Sequence, residues 1–224
     1  MARWLVTGAN RGIGLEWVRQ LVARGEDVVA TARDLEGAKE MRATGARCER
    51  LEVTDASSVA ELARRLDGTP LDVLVNNAGK GGSGQPFERL DWNDVADAFA
   101  VNAIGPMRVT QALLPNLRAG QRKLVASLTS RMGSIDDNSS GGYYAYRASK
   151  AALNMMNKSL AIDLARWGFT CVVLHPGWVQ TDMGGPGAPL PPRQSVAGML
   201  DVLQRLRPQD SGKFFDHAGA TIPW

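Results

Sequence analysis

Short runs rich in valine and leucine alternate along this chain with longer stretches whose apolar residues recur at helical spacing, and that alternation restricts the fold more than any other feature. The runs at 4–7, 27–32, 47–53, 71–75, 123–127 and 170–174 read as strands with two apolar faces, as expected of a parallel sheet covered on both sides. Helical patterns fill 13–23, 35–43, 57–66, 92–117, 144–166 and 194–206, and the late run Lys213-Phe214-Phe215 offers one more strand. Right-handed crossovers then give an α/β, doubly wound layout with a mostly parallel sheet of about seven strands and helices on both faces. No Gly/Ser linker, composition break or internal repeat divides the 224 residues, so 1–224 is expected to be one domain.

Two stretches resist helix and strand alike. Residues 79–86 are mostly Gly, Ser and Lys, and residues 182–192 are crowded with Gly and Pro, so both read as loops. Each follows a strand, and in open α/β sheets the ligand crevice lies beyond the strands' carboxyl ends. The second is expected to act as a mobile lid.

Thr7-Gly8-Ala9-Asn10-Arg11-Gly12-Ile13-Gly14 follows the first strand and opens the first helix. Glycine allows tight turning and close backbone approach there, while the free amides and positive dipole of the helix start attract a pyrophosphate. The layout is thereby Rossmann-type, with a dinucleotide as its expected ligand. At the end of the second strand stands Ala32-Arg33-Asp34. A carboxylate in this region would hold a free ribose 2'-hydroxyl, whereas a guanidinium complements a 2'-phosphate, so Arg33 with Arg11 favours NADP(H), NAD(H) remaining open through Asp34.

Tyr146 precedes Lys150 by four residues, which puts a phenol and an ammonium on one helix face. A fixed positive charge favours the ionised phenol, so the pair can serve as a proton donor near working pH. The bare pattern is cheap; its neighbours give it weight.

Other classes are excluded by composition. The net charge of +3 comes from 26 basic and 23 acidic residues spread along the chain, with no basic tract to meet nucleic acid. Cys48 and Cys171 are far apart and His175 and His217 lack clustered ligands, so no metal is expected and both thiols read as small core residues. The N-terminal residues lack the features of a signal peptide and no apolar run is long enough to span a membrane, so the expected compartment is cytoplasmic.

With Gly8, Gly12 and Gly14 in the turn and Tyr146 and Lys150 late in the same domain, the chain resembles the short-chain dehydrogenase/reductase family. Asn76-Asn77-Ala78-Gly79 looks like that family's Asn-Asn-Ala-Gly signature, Asn102 matches its helix asparagine, and His175-Pro176-Gly177 with Thr181 matches its Pro-Gly segment. The segments 131–135, 141–145 and 214–224 look most like the carbonyl-reductase and C-factor-like branch, which holds both enzymes and proteins named for signalling. The resemblance implies NADPH-dependent interconversion of a ketone or aldehyde and an alcohol. It assigns Tyr146 as general acid/base, Ser130 as the residue orienting the carbonyl oxygen, and Lys150 to the tyrosine and the nicotinamide ribose. Asn102 would position a water linking Lys150 to solvent. Ser134 is the alternative to Ser130, which fits the Ser-x-x-Gly arrangement with Gly133. The cofactor would be held by Gly8, Asn10, Arg11, Gly12, Ile13, Gly14, Arg33, Asp55, Asn77, Ala78, Gly79, Tyr146, Lys150, Pro176, Gly177, Val179 and Thr181. Asp55 also reads independently as a helix N-cap.

Trp178 is expected as a pocket wall or as core, and Met132 and Met183 stand beside the loops nearest the site. Leu153, Met156 and Leu160 form an apolar stripe that fits either the core or a symmetric homodimer. An alternative function is a dinucleotide-binding regulator in which turnover is incidental. A sugar-nucleotide epimerase would need more chain after the sixth strand than is present.

Overall fold

The computed structural model describes all 224 residues. Seven strands, β1 (Arg3–Val6), β2 (Asp27–Ala32), β3 (Arg47–Arg50), β4 (Val73–Asn76), β5 (Leu124–Leu128), β6 (Thr170–His175) and β7 (Phe214–Asp216), lie in the order β3-β2-β1-β4-β5-β6-β7. Every neighbouring pair is parallel. The helices are α1 (Gly12–Ala23), α2 (Lys39–Arg42), α3 (Ala56–Arg65), α4 (Trp92–Phe99), α5 (Gly105–Ala112), α6 (Leu114–Ala119), α7 (Tyr144–Leu164) and α8 (Pro192–Arg205).

Strand alternation divides the core in two. Val6, Ala30 and Val75 face Trp17 and Leu21 of α1 and Met199 and Leu203 of α8. Their chain neighbours Leu5, Val29 and Leu74 face the opposite layer, with Leu62 of α3, Val109 of α5 and Ala161 of α7. The winding reverses at β1, which pairs with β2 on one side and β4 on the other. A crevice therefore opens above the carboxyl ends of β1 and β4.

Three expected elements differ from the structure. The strand expected over 47–53 stops at Arg50, because Arg50 pairs with Ala32 and β2 ends there. Leu51 and Val53 are buried without strand pairing. The helix expected over 35–43 shrinks to α2: Asp34 Oδ1 accepts from the amides of Glu36 at 2.9 Å and Gly37 at 3.1 Å, folding that stretch into a turn. The helix expected over 92–117 breaks into α4, a π turn over Ala100–Ile104, α5 and α6. Pro106 and Pro115 account for the breaks, since each lacks an N–H and crowds the carbonyl four residues back.

On α7, Leu153 is fully buried and Leu160 packs against the core, while Met156, the third residue of the stripe, is 37% exposed. Cys171 is buried and Cys48 half-buried, both as free thiols. No helix is long and apolar enough to cross a membrane.

Asn116 fastens α6 to the chain entering β4, donating from Nδ2 to Leu66 O at 2.6 Å and Thr69 O at 2.9 Å. Asn116→Ala would leave two carbonyls without this donor, and urea unfolding should show a loss of about 2–4 kcal/mol; a loss under about 1 kcal/mol would mean water replaces the amide freely.

Candidate active site

The glycine turn is built by close approach. A Cβ on Gly8 would lie 2.9 Å from Ala78 Cα, one on Gly14 2.2 Å from Gly8 O, and one on Gly12 3.2 Å from Thr181 Cγ2. Gly8 and Gly12 also have positive φ, at 64° and 54°. Asn77 locks this turn, its Nδ2 donating to Thr7 O at 2.8 Å and Gly8 O at 3.0 Å, while Thr7 Oγ1 accepts from the amides of Asn77 and Ala78 at 3.0 Å each. The side chain of Asn77 is thus committed to shaping the cradle. Arg11 caps α1 without a side-chain hydrogen bond, and no acidic residue sits in the first turn. A backbone cradle with free amides and no carboxylate in the first turn of its helix fits a dinucleotide pyrophosphate.

At the ribose end, Asp34 is tied into its turn, whereas the Arg33 side chain is 78% exposed and stands 3.7 Å from Glu52. The more exposed group at this position is the guanidinium, paired loosely with Glu52. Glu52 was not anticipated from the sequence; it sits one residue past the buried Leu51, where nothing in the pattern marks it. Asp55 is the N-cap of α3, with Oδ1 accepting from the amide and hydroxyl of Ser57 at 2.8 and 2.7 Å. Arg11 pairs with Asp182 at 2.8 Å, bridging the glycine turn to the 182–192 loop.

Pro176 and Gly177 follow β6, and Ser195 Oγ donates to Pro176 O at 2.6 Å. Gly177 has φ of 87°, and a Cβ there would lie 2.6 Å from Leu190. Val179 bridges to Leu190, and Thr181 Oγ1 accepts from the Gly184 amide at 3.2 Å. Trp178 is 59% exposed, so the core alternative is set aside; its Nε1 donates to Gly184 O at 2.8 Å and pins the loop.

Ser130 ends the β5 segment and caps a short 3-10 turn over Arg131–Gly133, its Oγ accepting from Met132 N at 3.2 Å. Gly133 has to be glycine here, since a Cβ would lie 2.8 Å from Lys150 Cβ. That contact lays the serine turn flush against α7. The Ser130 hydroxyl lies close enough to the Tyr146 phenol to favour its ionised form. Ser134 is otherwise engaged: its Oγ donates to Trp224 O at 3.2 Å and accepts from Asp137 N at 3.1 Å. The structure therefore brings Ser130, not Ser134, to the tyrosine.

Lys150 is buried, donates from Nζ to Leu128 O at 2.8 Å, and lies 5.8 Å from the centre of the Tyr146 ring. Burial pulls its pKa down to about 8. The Tyr146 phenol moves the other way from the sequence expectation: burial raises its pKa, and the Ser130 hydroxyl offsets this only in part. Asn102, in the π turn, accepts at Oδ1 from Lys80 N at 2.8 Å and donates from Nδ2 to Lys80 O at 2.9 Å and Ser149 Oγ at 3.0 Å. It holds the glycine loop over the pair, and a Cβ on Gly82 would lie 2.7 Å from Tyr146 Cβ. Burial, with Arg131 and His217 nearby, lowers His175 to about 4, so it is neutral near pH 7. No group of three or more metal-ligating side chains exists.

Residues 3–188 match the family model for short chain dehydrogenase. The C-signal protein of Myxococcus xanthus is 56% identical over 155 residues, covering 69% of this chain and 93% of that protein. Carbonyl reductase Sniffer of D. melanogaster superposes with a TM-score of 0.96 at 32% identity, covering all of both chains. The NADPH-bound carbonyl reductase from chicken fatty liver gives 0.94 at 35% identity, covering 100% of this chain and 99% of that one. The chain belongs to the short chain dehydrogenase family. Its similarity runs at once to carbonyl reductases and to a protein named for a signal.

The Lys150 shift has a definite sign. Below pH 8 both folded and unfolded chains carry the ammonium; between about 8 and the ordinary value of 10.5 the folded protein gives up its proton first, so the cost of the buried charge is relieved as pH rises. Unfolding measured from pH 8 to 10 should show wild type gaining on Lys150→Met by up to about 1.4 kcal/mol per pH unit. A constant difference would place the lysine in solvent.

Proposed function

We propose that the protein is an NADPH-dependent oxidoreductase that interconverts a carbonyl compound and an alcohol, with Tyr146 as general acid in reduction. The observation that carries this reading is Tyr146, half-buried on α7 with Lys150 5.8 Å from its ring centre and the Ser130 turn packed against the same helix, next to a glycine cradle with free amides. Bound NADPH would supply the hydride. Ser130 and Tyr146 would grip the carbonyl oxygen, and Tyr146 would give it a proton as negative charge develops, the donors being already in place. Lys150 at about 8 is mostly an ammonium near neutral pH, and its charge favours the tyrosinate that this transfer leaves.

Asn102 would complete the relay through its backbone. Its amide is committed to Lys80 and Ser149, whereas Pro106, four residues on, has no N–H to offer the Asn102 carbonyl. That carbonyl is the group we assign to a water leading from Lys150. The chicken carbonyl reductase, described as NADPH-bound, supports the cofactor. Arg33, on release from Glu52, and Arg11, on release from Asp182, would supply the charge for a 2'-phosphate, while Asp34 Oδ1 is engaged by the amides of its own turn.

The 56% identity to C-signal favours a second reading, a regulator in which dinucleotide occupancy governs a protein contact. One variant separates the two. Tyr146→Phe should retain NADPH binding by fluorescence titration and lose about 100- to 10,000-fold in kcat across a panel of ketones, aldehydes and quinones. Equal turnover by the mutant would overturn the mechanism, and a cellular activity that survives this variant but fails when the turn is blocked by Gly14→Val would support the regulator. For the cofactor, Arg33→Ala should weaken NADPH about 10- to 100-fold and leave NADH nearly unchanged; an unaltered NADPH/NADH ratio would remove Arg33 from the site.

A further inference from the structure

The segment joining the serine turn to α7 is fastened at both ends, and one fastening comes from the far end of the sequence. Trp224 O accepts three hydrogen bonds from consecutive residues of this segment: Ser134 Oγ at 3.2 Å, Ile135 N at 3.1 Å and Asp136 N at 3.0 Å. The indole lies 5.8 Å from Phe214, centre to centre, which seats this main-chain oxygen beside β7. Ile222 reinforces the seat, buried against Val173 and Phe214 and donating from its amide to Phe214 O at 2.9 Å. Ser134 is 2% exposed, and its second bond, from Asp137 N, carries the contact one step along the segment. Arg131, next to Ser130, reaches Asp137 at 3.0 Å and Asp216 at the end of β7 at 4.0 Å.

The other end is held by Arg147, whose guanidinium donates to Gly141 O at 3.2 Å, Ser140 Oγ at 2.9 Å and Met132 O at 3.4 Å. Just before α7, Gly141, Gly142 and Tyr143 have φ of 66°, 65° and 51° in succession. A non-glycine residue held in that region costs about 1–3 kcal/mol and persists only where its surroundings fix it. The path from Ser130 to Tyr146 is therefore an irregular segment, and its geometry is set by contacts outside itself.

We infer that Trp224 and Ser134 are positioning residues for the oxidoreductase reaction, forming a clamp that fixes the Ser130 turn against Tyr146. The inference rests on the roles given to Ser130 and Tyr146 above. Neither residue touches the reacting oxygen; each acts through the segment's backbone. Misplacing a hydrogen-bond partner by about 1 Å can lower a rate about 100-fold while the binding of the other substrate is unaffected. The glycine cradle lies on the other side of the sheet's switch point and is independent of this clamp.

The test compares Ser134→Ala, Trp224→Ala, Trp224→Phe and the double alanine variant. Kinetics with the carbonyl compound that wild type reduces fastest should show kcat lowered about 10- to 100-fold in each single alanine variant. The NADPH Kd should stay within about twofold. Trp224→Phe, which keeps a ring on Phe214, should restore most of kcat, and the double variant should be no slower than the worse single one because both break the same clamp. Unchanged kcat, a parallel loss of NADPH affinity, or multiplying losses in the double variant would each overturn the proposal. Hydrogen exchange at the amides of Ile135 and Asp136 gives a readout that needs no turnover. Trp224→Ala should speed both about tenfold or more while core amides in β4 and β5 keep their protection. If wild type reduces no carbonyl, the functional reading fails while this exchange result still decides the clamp; unchanged exchange would overturn the clamp whatever the activity.

Discussion

Everything near the site depends on how the ends of β1 and β4 are tied together. These strands flank the point where the sheet's winding reverses, and their carboxyl ends splay into the crevice that such a reversal leaves. Thr7 and Asn77 close the base of the crevice with reciprocal bonds: the hydroxyl accepts two amides from the β4 side, and the Asn77 amide returns two bonds to the turn after β1. The knot forces Gly8 onto Ala78 and Gly14 onto Gly8 O at distances no side chain tolerates. Glycine is therefore a steric consequence of the knot, and the exposed amides that suit a pyrophosphate follow from glycine.

The sheet and the strand order's general form were readable because parallel strands buried on both faces have a strong compositional signature. Helix breaks were less so. The stretch 92–117 has helical periodicity throughout, and the two prolines that divide it were outweighed by that period. The glycine turn and the Tyr146/Lys150 pair stand out by their spacing, and Ser130 enters through the family resemblance. Glu52 beside Arg33, Asp182 on Arg11 and Trp224 on Ser134 do neither, because each contact joins elements far apart in the chain and is fixed only when loops fold onto one another. The choice between Ser130 and Ser134 has the same origin: local spacing allows either hydroxyl, and the distant Trp224 occupies Ser134.

Electrostatics at the pair run against the simplest reading of a phenol beside an ammonium. Proximity alone would lower the tyrosine and raise the lysine, yet burial drives both toward their neutral forms, the phenol up and the ammonium down to about 8. At 5.8 Å from the ring, Lys150 answers first to Leu128 O and to its own desolvation. An anion formed on Tyr146 would change that balance, because it gives the buried ammonium a partner. The charge of Lys150 is thus of most use after the proton has left Tyr146, which is the state a proton donor must stabilise.

The division of labour between framework and loops explains why reaction class is more legible than substrate. The groups assigned to proton transfer sit on regular elements or on turns braced against them: Ser130 through Gly133 on α7, Tyr146 and Lys150 on α7 itself, Asn102 in a π turn set by Pro106. The side chains nearest the mouth are of another kind. Trp178 at 59% and Met183 at 57% exposure lie on the loop after β6, and Tyr143 at 46% packs its ring near Gly84. These are adaptable or aromatic apolar groups on loops, and such surfaces select by shape and by apolar area removed from water rather than by directed hydrogen bonds. Under the proposed function, a fixed polar end and an apolar, loop-borne rim would permit one chemistry on carbonyl compounds of different outline, with discrimination among them residing in the rim.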